Sequence, residues 1–227
     1  MARSLGKQEF ETMQNRCRLV LIAPPPELAA NDDSHVEAAL AAGDVASLII
    51  PDYGQDEVSF QARAERLTPI AQAHGVAVMI AGPARIATRA KADGIHVEGS
   101  LESLAETAEK YQDRMMIGTG SIKTRDDALE RGEVQPDYVF FGRFGYDNKP
   151  EPHPRNLTLA TWWSEMVQVP CIVLGGNELS SVEAVARTGA DFVALGSAVF
   201  SDETDPARAV AEANALLDRA ASHFEGA

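Results

Sequence analysis

Eight short apolar runs, each followed by a longer amphipathic stretch, constrain this chain more than any other feature. The runs are "RLVLIA" (18–23), "VASLII" (45–50), "VAVMIA" (76–81), "GIHV" (94–97), "RMMIGT" (114–119), "DYVFFG" (137–142), "VPCIVLG" (169–175) and "DFVALG" (191–196). Most are continuously apolar, as strands of a parallel sheet covered on both faces are. Between them lie helical stretches. "SHVEAALAAG" opens at Ser34, a fitting N-cap, and stops at Gly43, and "VSFQARAERLTPIAQAHG" stops at Gly75. "PARIATRAKADG", "SLESLAETAEKY", "TRDDALERG", "LTLATWWSEM", "SSVEAVARTGA" and "DPARAVAEANALLDRAASHF" complete the set. Asn31, Asp32 and Asp33 precede the first helix and are expected to cap it. Trp162 and Trp163 fall in the sixth, where at least one is expected in the core.

Strict alternation predicts a parallel sheet with right-handed crossovers. Eight such units in about 200 residues fit a (β/α)8 TIM barrel, an α/β fold. The expected layout is one domain over residues 1–227, with 1–17 as an N-terminal extension. A doubly wound open sheet is the alternative. The longest irregular segment, "GRFGYDNKPEPHPRN" (142–156), follows the sixth strand and would lie on the catalytic face of a barrel. Its three prolines argue against a hidden helix.

Composition narrows the partners. The formal net charge is −14 with only 20 Lys+Arg, none in a dense run, which argues against nucleic-acid binding. Hydrophobic residues make up 45 %, enough for a full core. Cys17 and Cys171 show no zinc-site spacing and read as reduced thiols, at least one of them a core residue. The first residues carry no apolar leader core, and no run approaches the roughly 20 residues that span a bilayer. The expectation is a cytoplasmic protein without a membrane partner.

Glycines close the last two runs, Gly175–Gly176 and Gly196–Ser197. In a barrel the loops after strands seven and eight often hold a phosphate, because glycine lets backbone N–H groups approach the anion. These four residues are therefore candidate phosphate ligands, the alternative being simple tight turns. His96 sits at a strand end, where barrels place their chemistry, but is as readily a packing residue. Ser121 in "IGTGS" ends the fifth strand and suits an anion or a turn equally. Lys123 and Lys149, two of five lysines, lie in loops on the same face, where solvated lysines are also ordinary. Glu98 and Glu102 suit Mg²⁺ or the start of a helix.

The stretches "KADGIHVEGS", "IGTGS", "PDYVFFGRF" and "VPCIVLGGNELSSVEAVARTGADFVALGSAVF" resemble the thiamine phosphate synthase/TenI family, itself a (β/α)8 barrel. The resemblance covers about residues 80–201 well and the first two βα units by position only. It implies a phosphorylated small molecule as ligand, Mg²⁺ as cofactor and a homodimer. The synthases join a hydroxymethylpyrimidine diphosphate to a thiazole phosphate. Diphosphate leaves with Mg²⁺ assistance, and the thiazole nitrogen captures the pyrimidine carbocation. TenI relatives isomerise a thiazole carboxylate phosphate by proton transfer, without metal.

By position, Gly175, Gly176, Gly196 and Ser197 match the phosphate-holding residues, and Ser121 matches the serine after the fifth strand. The rest departs. The family's Gln-x-Arg-x-Lys pattern is replaced by "LIIPDYGQ". Ala81 and Gly82 stand where the family has Asn-Asp, and Leu101 stands for the second Mg²⁺ aspartate. "GYDNKPEP" replaces Thr-x-Thr-Lys, with Lys149 one residue early, and Lys123 stands for the proton-transfer histidine. Three readings result. The first is an enzyme of thiamine phosphate synthesis whose lost cations are replaced by Lys123, Lys149 or Arg143, and whose metal ligands by Glu98 or Glu102. The second is a non-catalytic barrel that binds a phosphorylated ligand. The third is an isomerase using Lys123 or His96 as acid/base.

Overall fold

A computed structural model describes residues 16–28 and 33–224. Eight parallel strands close into a barrel in the order of the sequence. They are β1 (Arg18–Ile22), β2 (Val45–Pro51), β3 (Ala77–Ala81), β4 (Gly94–Val97), β5 (Met116–Thr119), β6 (Tyr138–Phe141), β7 (Cys171–Leu174) and β8 (Phe192–Leu195). Closure is made by β1 against β8, with Arg18 level with Phe192 and Leu21 with Leu195. Each strand coincides with one of the apolar runs.

Period-two geometry divides the strand residues between two cores. Val20, Ile22, Ile49, Met79, Tyr138, Phe140, Ile172 and Leu174 fill the barrel interior. Their neighbours, among them Leu19, Leu21, Leu48, Val139, Phe141 and Val173, face outward into the layer beneath the helices. Trp163 is buried in that outer layer and Trp162 is packed against it.

The helices are α1 (Ser34–Ala41), α2 (Glu57–Ala73), α3 (Ala84–Ala90), α4 (Leu101–Tyr111), α5 (Arg125–Glu133), α6 (Pro154–Met166), α7 (Ser181–Ala186), α8 (Ser197–Phe200) and α9 (Pro206–Phe224). Local chemistry sets several of their starts. The Asp56 carboxylate accepts from the Val58 and Ser59 amides at 3.1 Å each, capping α2. Thr124 and Asp127 form a reciprocal capping box at α5.

The structure differs from the sequence expectation in four places, and three of the differences have a physical cause. Asp33 occupies the N-cap position of α1 without a capping side-chain bond, because its carboxylate pairs with Arg66. Asn31 and Asp32 lie outside the described residues. Helix α3 ends at Ala90, where Lys91 turns left-handed at φ 56°. Helix α6 begins inside the proline-rich segment, since Pro154 at its first turn lacks only an amide that a helix start leaves unpaired. A one-turn helix, α8, follows β8 directly.

A repeated device closes the N-terminal end of the barrel. Asp93, Asp137 and Asp191 each stand immediately before an even-numbered strand. Their carboxylates accept from Val78 (2.8 Å), Ile117 (2.6 Å) and Cys171 (2.8 Å) at the start of the preceding odd strand. Asp44, just before β2, instead takes the Arg18 guanidinium at 2.7 and 3.0 Å. That pair holds the Asp44 carboxyl below its ordinary pKa. Arg16, expected in the extension, joins the cluster by donating to Asp44 (3.1 Å) and Asn214 (2.8 Å). Cys17 and Cys171 are free thiols; burial pushes both up, Cys171 to about 12. No helix among the described residues is long and apolar enough to cross a membrane.

Candidate functional site

The C-terminal end of the barrel carries the mouth. A chain of hydrogen bonds crosses its floor. His96 on β4, Gly118 on β5 and Tyr138 on β6 lie level in the sheet. Gly118 leaves the gap that the Tyr138 ring fills, since a Cβ there would sit 2.0 Å from it. The Tyr138 hydroxyl thereby reaches His96 Nδ1 at 2.8 Å. His96 Nε2 meets Glu98 Oε1 at 2.9 Å, and the Ser121 hydroxyl lies 2.8 Å from Glu98 Oε2 and 2.9 Å from its carbonyl.

The hydrogen-bond roles follow from what each group offers. An ionised carboxylate only accepts, so the imidazole donates Nε2–H to Glu98. Nδ1 then accepts from Tyr138 when the ring is neutral and donates to it when the ring is charged. Burial pushes the Tyr138 hydroxyl well above its ordinary pKa, so it keeps its proton. Burial pushes Glu98 the other way from its partners. The bond and charge of His96, the Ser121 hydroxyl and the Arg131 charge win, and hold its carboxyl below the usual range. Arg131 is itself fixed, donating to Thr119 Oγ1 and the Gly99 carbonyl at 2.8 Å each.

Two cavities open above this floor. One, of about 540 Å³, has Asp52, Tyr53, Gly82, His96 and Phe144 in its wall. The Phe144 ring packs edge-on to His96 with centroids 5.1 Å apart. The other, of about 1090 Å³, is lined by Ser121, Lys123, Lys149, Arg155 and Asn156 and reaches Gly175. Glu98 and Arg143 line both. The smaller cavity thus carries two carboxylates and one guanidinium. The larger carries Lys123, Arg143, Lys149 and Arg155 against Glu98 and Glu151.

The glycine turns stand at one side of the mouth, and a strap formed by residues 143–153 lies over them. The Asp147 carboxylate is buried and accepts from the Ser197 amide at 2.6 Å. The Lys149 carbonyl accepts from the Asn177 amide at 2.8 Å. Gly176 is needed for this approach, because a Cβ there would lie 2.1 Å from the Pro150 carbonyl oxygen. The Gly175 amide donates to Ala194 at 2.9 Å within the barrel. The turns are close-packed backbone, and the packing partner is the chain itself.

The sequence candidates therefore separate. His96, Glu98 and Ser121 meet directly, and Lys123 and Lys149 line the larger cavity beside them. Glu102 sits exposed in the first turn of α4 and Leu101 begins that helix. Gly82 lines the smaller cavity. Both Glu98 oxygens are committed to His96 and Ser121. Among the described residues no three His, Cys, Asp or Glu side chains group to hold a metal ion. This donor set does not fit a protein-held Mg²⁺. Sequence reasoning missed Tyr138, whose signal was period-two placement level with His96, and Asp147 and Arg155, which carried no local signal.

Comparison with known proteins settles the relationship. The profile of the family described as thiamine monophosphate synthase matches residues 19–199. This chain belongs to that family. It is 32 % identical over 202 residues to a thiamine-phosphate synthase of Rhodospirillum centenum, covering 88 % of this chain and 98 % of the relative. It is 35 % identical over 210 residues to that of Hyphomonas neptunium, covering 89 % and 95 %. The fold resembles a solved thiamine phosphate pyrophosphorylase of Pyrococcus furiosus, with TM-score 0.75 at 19 % identity over 92 % of this chain and 98 % of the other. The scaffold of this member of the thiamine monophosphate synthase family is a TIM barrel with both cavities described above at its C-terminal mouth.

Proposed function

We propose that this chain joins a thiazole phosphate to a hydroxymethylpyrimidine diphosphate, forming thiamine phosphate and diphosphate in thiamine biosynthesis. The observation that carries the reading is the gathering of Lys123, Arg143, Lys149 and Arg155 around one cavity of an otherwise acidic chain, beside Ser121 and Gly175. Cations there offset the negative charge that builds on a departing diphosphate. The C–O bond breaks with its electron pair leaving on the diphosphate, and the thiazole nitrogen lone pair forms the new C–N bond.

Lys149 and Arg155 bind anionic oxygens, Ser121 spends its one hydroxyl proton on Glu98 beside them, and the walls hold both substrates close enough to react. Gly175 and Gly176 border the thiazole phosphate. Gly196 and Ser197 join that site when Asp147 gives up the Ser197 amide. The metal chemistry associated with the family has no ligand set in this chain's described residues, and no step here depends on one.

Purified full-length protein given both substrates and Mg²⁺ is expected to release thiamine phosphate and diphosphate in equal amounts. Thiazole phosphate alone is expected to raise the melting temperature. A thermal shift without any thiamine phosphate leaves a binding barrel and contradicts the reading.

A further inference from the structure

A buried polar side chain costs free energy unless it finds a hydrogen-bond partner. Among the described residues, two buried polar side chains make no hydrogen bond, Ser181 and Asn156. The Ser181 hydroxyl is sealed inside the protein. The Asn156 amide is not. That residue keeps 6 % of its surface, and the space it borders is the larger cavity.

A structural role does not account for the amide. Asn156 is the third residue of α6, whereas asparagine caps a helix from the N-cap position. His153 holds that position, and its Nδ1 accepts from the Arg155 amide at 3.2 Å. The Asn156 backbone amide donates to the His153 carbonyl at 2.9 Å. The backbone donors of this turn are thus committed, and the carboxamide of Asn156 is left over.

Its surroundings suit an anion. Arg155 directly before it, and Lys149 and Lys123 along the same cavity, form no ion pair among the described residues. Helix α6 has 13 residues and brings the positive end of its dipole to the cavity wall. Ile122 and Leu174, both buried, line the cavity too and thin the water that would compete for the amide.

We propose that the Asn156 carboxamide is a ligand for a phosphoryl oxygen, donating Nδ2–H to it while Arg155 neutralises the charge. For the molecules that carry this group, a thiazole phosphate or a diphosphate, the proposal rests on the reaction assigned above. The amide touches substrate and takes no part in bond making. It is a neutral donor set among cations, and a bound phosphoryl group supplies the partner that the fold withholds.

Wild type, Asn156→Ala and Asn156→Asp, each as the full chain, are titrated by calorimetry with thiazole phosphate, with the unphosphorylated thiazole alcohol and with inorganic diphosphate. Asn156→Ala removes one neutral donor and is expected to weaken the phosphoryl ligand about three- to tenfold. Asn156→Asp keeps the shape but sets a carboxylate against the anion, and is expected to weaken it about 100-fold. The helix dipole favours that carboxylate in the folded chain. If the aspartate variant does not fold, the alanine variant decides alone. The alcohol is expected to bind all three proteins alike.

Loss confined to thiazole phosphate seats the ester phosphate at Asn156, and loss confined to diphosphate seats the leaving group there. Loss of both means that they share the position; each of these results supports the amide as a phosphoryl ligand. Wild-type affinity for both anions in the alanine variant overturns the proposal, as does a wild type that binds neither. Equal weakening of the alcohol also overturns it, since Asn156 would then shape the cavity rather than hold the phosphate. Turnover is measured in parallel. A wild type that binds through Asn156 but makes no thiamine phosphate removes the reaction and leaves the phosphoryl seat standing.

Discussion

Two sides of the same mouth are built in opposite ways. At the glycine turns after β7 and β8, the chain satisfies its own backbone: Asp147 takes the Ser197 amide and Lys149 the Asn177 amide. Across the mouth, His96 and Ser121 each bond Glu98, so that its carboxylate is fixed yet borders both cavities. The first side buries its donors under a strap, and the second displays its charge. Glycine at a barrel turn thus marks close backbone approach, and the approaching group here is a carboxylate and a carbonyl of the strap. The function proposed above places its ligand chemistry on the side where charges remain uncovered.

The comparison breaks most readily at the cations. Replacing Lys149 and Arg155 together by alanine is expected to weaken inorganic diphosphate by about 100-fold, read by calorimetry, since each charge-assisted contact contributes roughly 1.5–3 kcal/mol at most. Unchanged affinity would place the anion elsewhere.

The sealed side is sharpened by Asp147→Ala. Removing the carboxylate frees the Ser197 amide, and thiazole phosphate is expected to bind about three- to tenfold tighter, a modest gain because one neutral donor is released. Weaker binding would mean that the strap supports the ligand as it stands.

How much of this was legible in the sequence depends on the range of the interaction. The eight strands were readable because each is a continuous apolar run, a signal contained within a few residues. The phosphate-turn candidates were readable as glycines, but their occupation by Asp147 was not, because that contact spans 50 residues from an irregular loop. Tyr138 was hidden inside "DYVFFG", where its hydroxyl looked like part of a strand; its role depends on the missing side chain of Gly118 one strand away. Glu98 was noticed as a carboxylate for Mg²⁺, and only the fold could reveal that His96 and Ser121 take both its oxygens. The separation of acidic and basic cavities arises from loops that follow six different strands.

A third contrast lies between the two ends of the barrel. Asp137 ties Ile117 at the N-terminal end, far from the mouth chemistry. Asp137→Ala is expected to cost about 1 kcal/mol, or about 2–4 °C in melting temperature, with kcat unchanged. A loss of turnover without a loss of stability would contradict the division between a structural end and a chemical end.

The smallest expected effect is a pH dependence. Glu98 titrates below its ordinary value in the folded chain. Its stabilising contribution is complete above the unfolded glutamate pKa, about 4.3, and is lost as pH falls through the lower folded value. Between about pH 5 and 3 the wild-type melting temperature should fall more steeply than that of Glu98→Gln. Parallel curves would show that its bonds to His96 and Ser121 do not favour the ionised form.

The most direct test of the divided mouth is a crystal structure of the full chain with thiazole phosphate and inorganic diphosphate. The account predicts both anions in the larger cavity, within hydrogen-bond reach of Lys149 or Arg155, with Glu98 still held between His96 and Ser121. Anions in the smaller cavity beside Asp52, or bound outside the mouth, would contradict it.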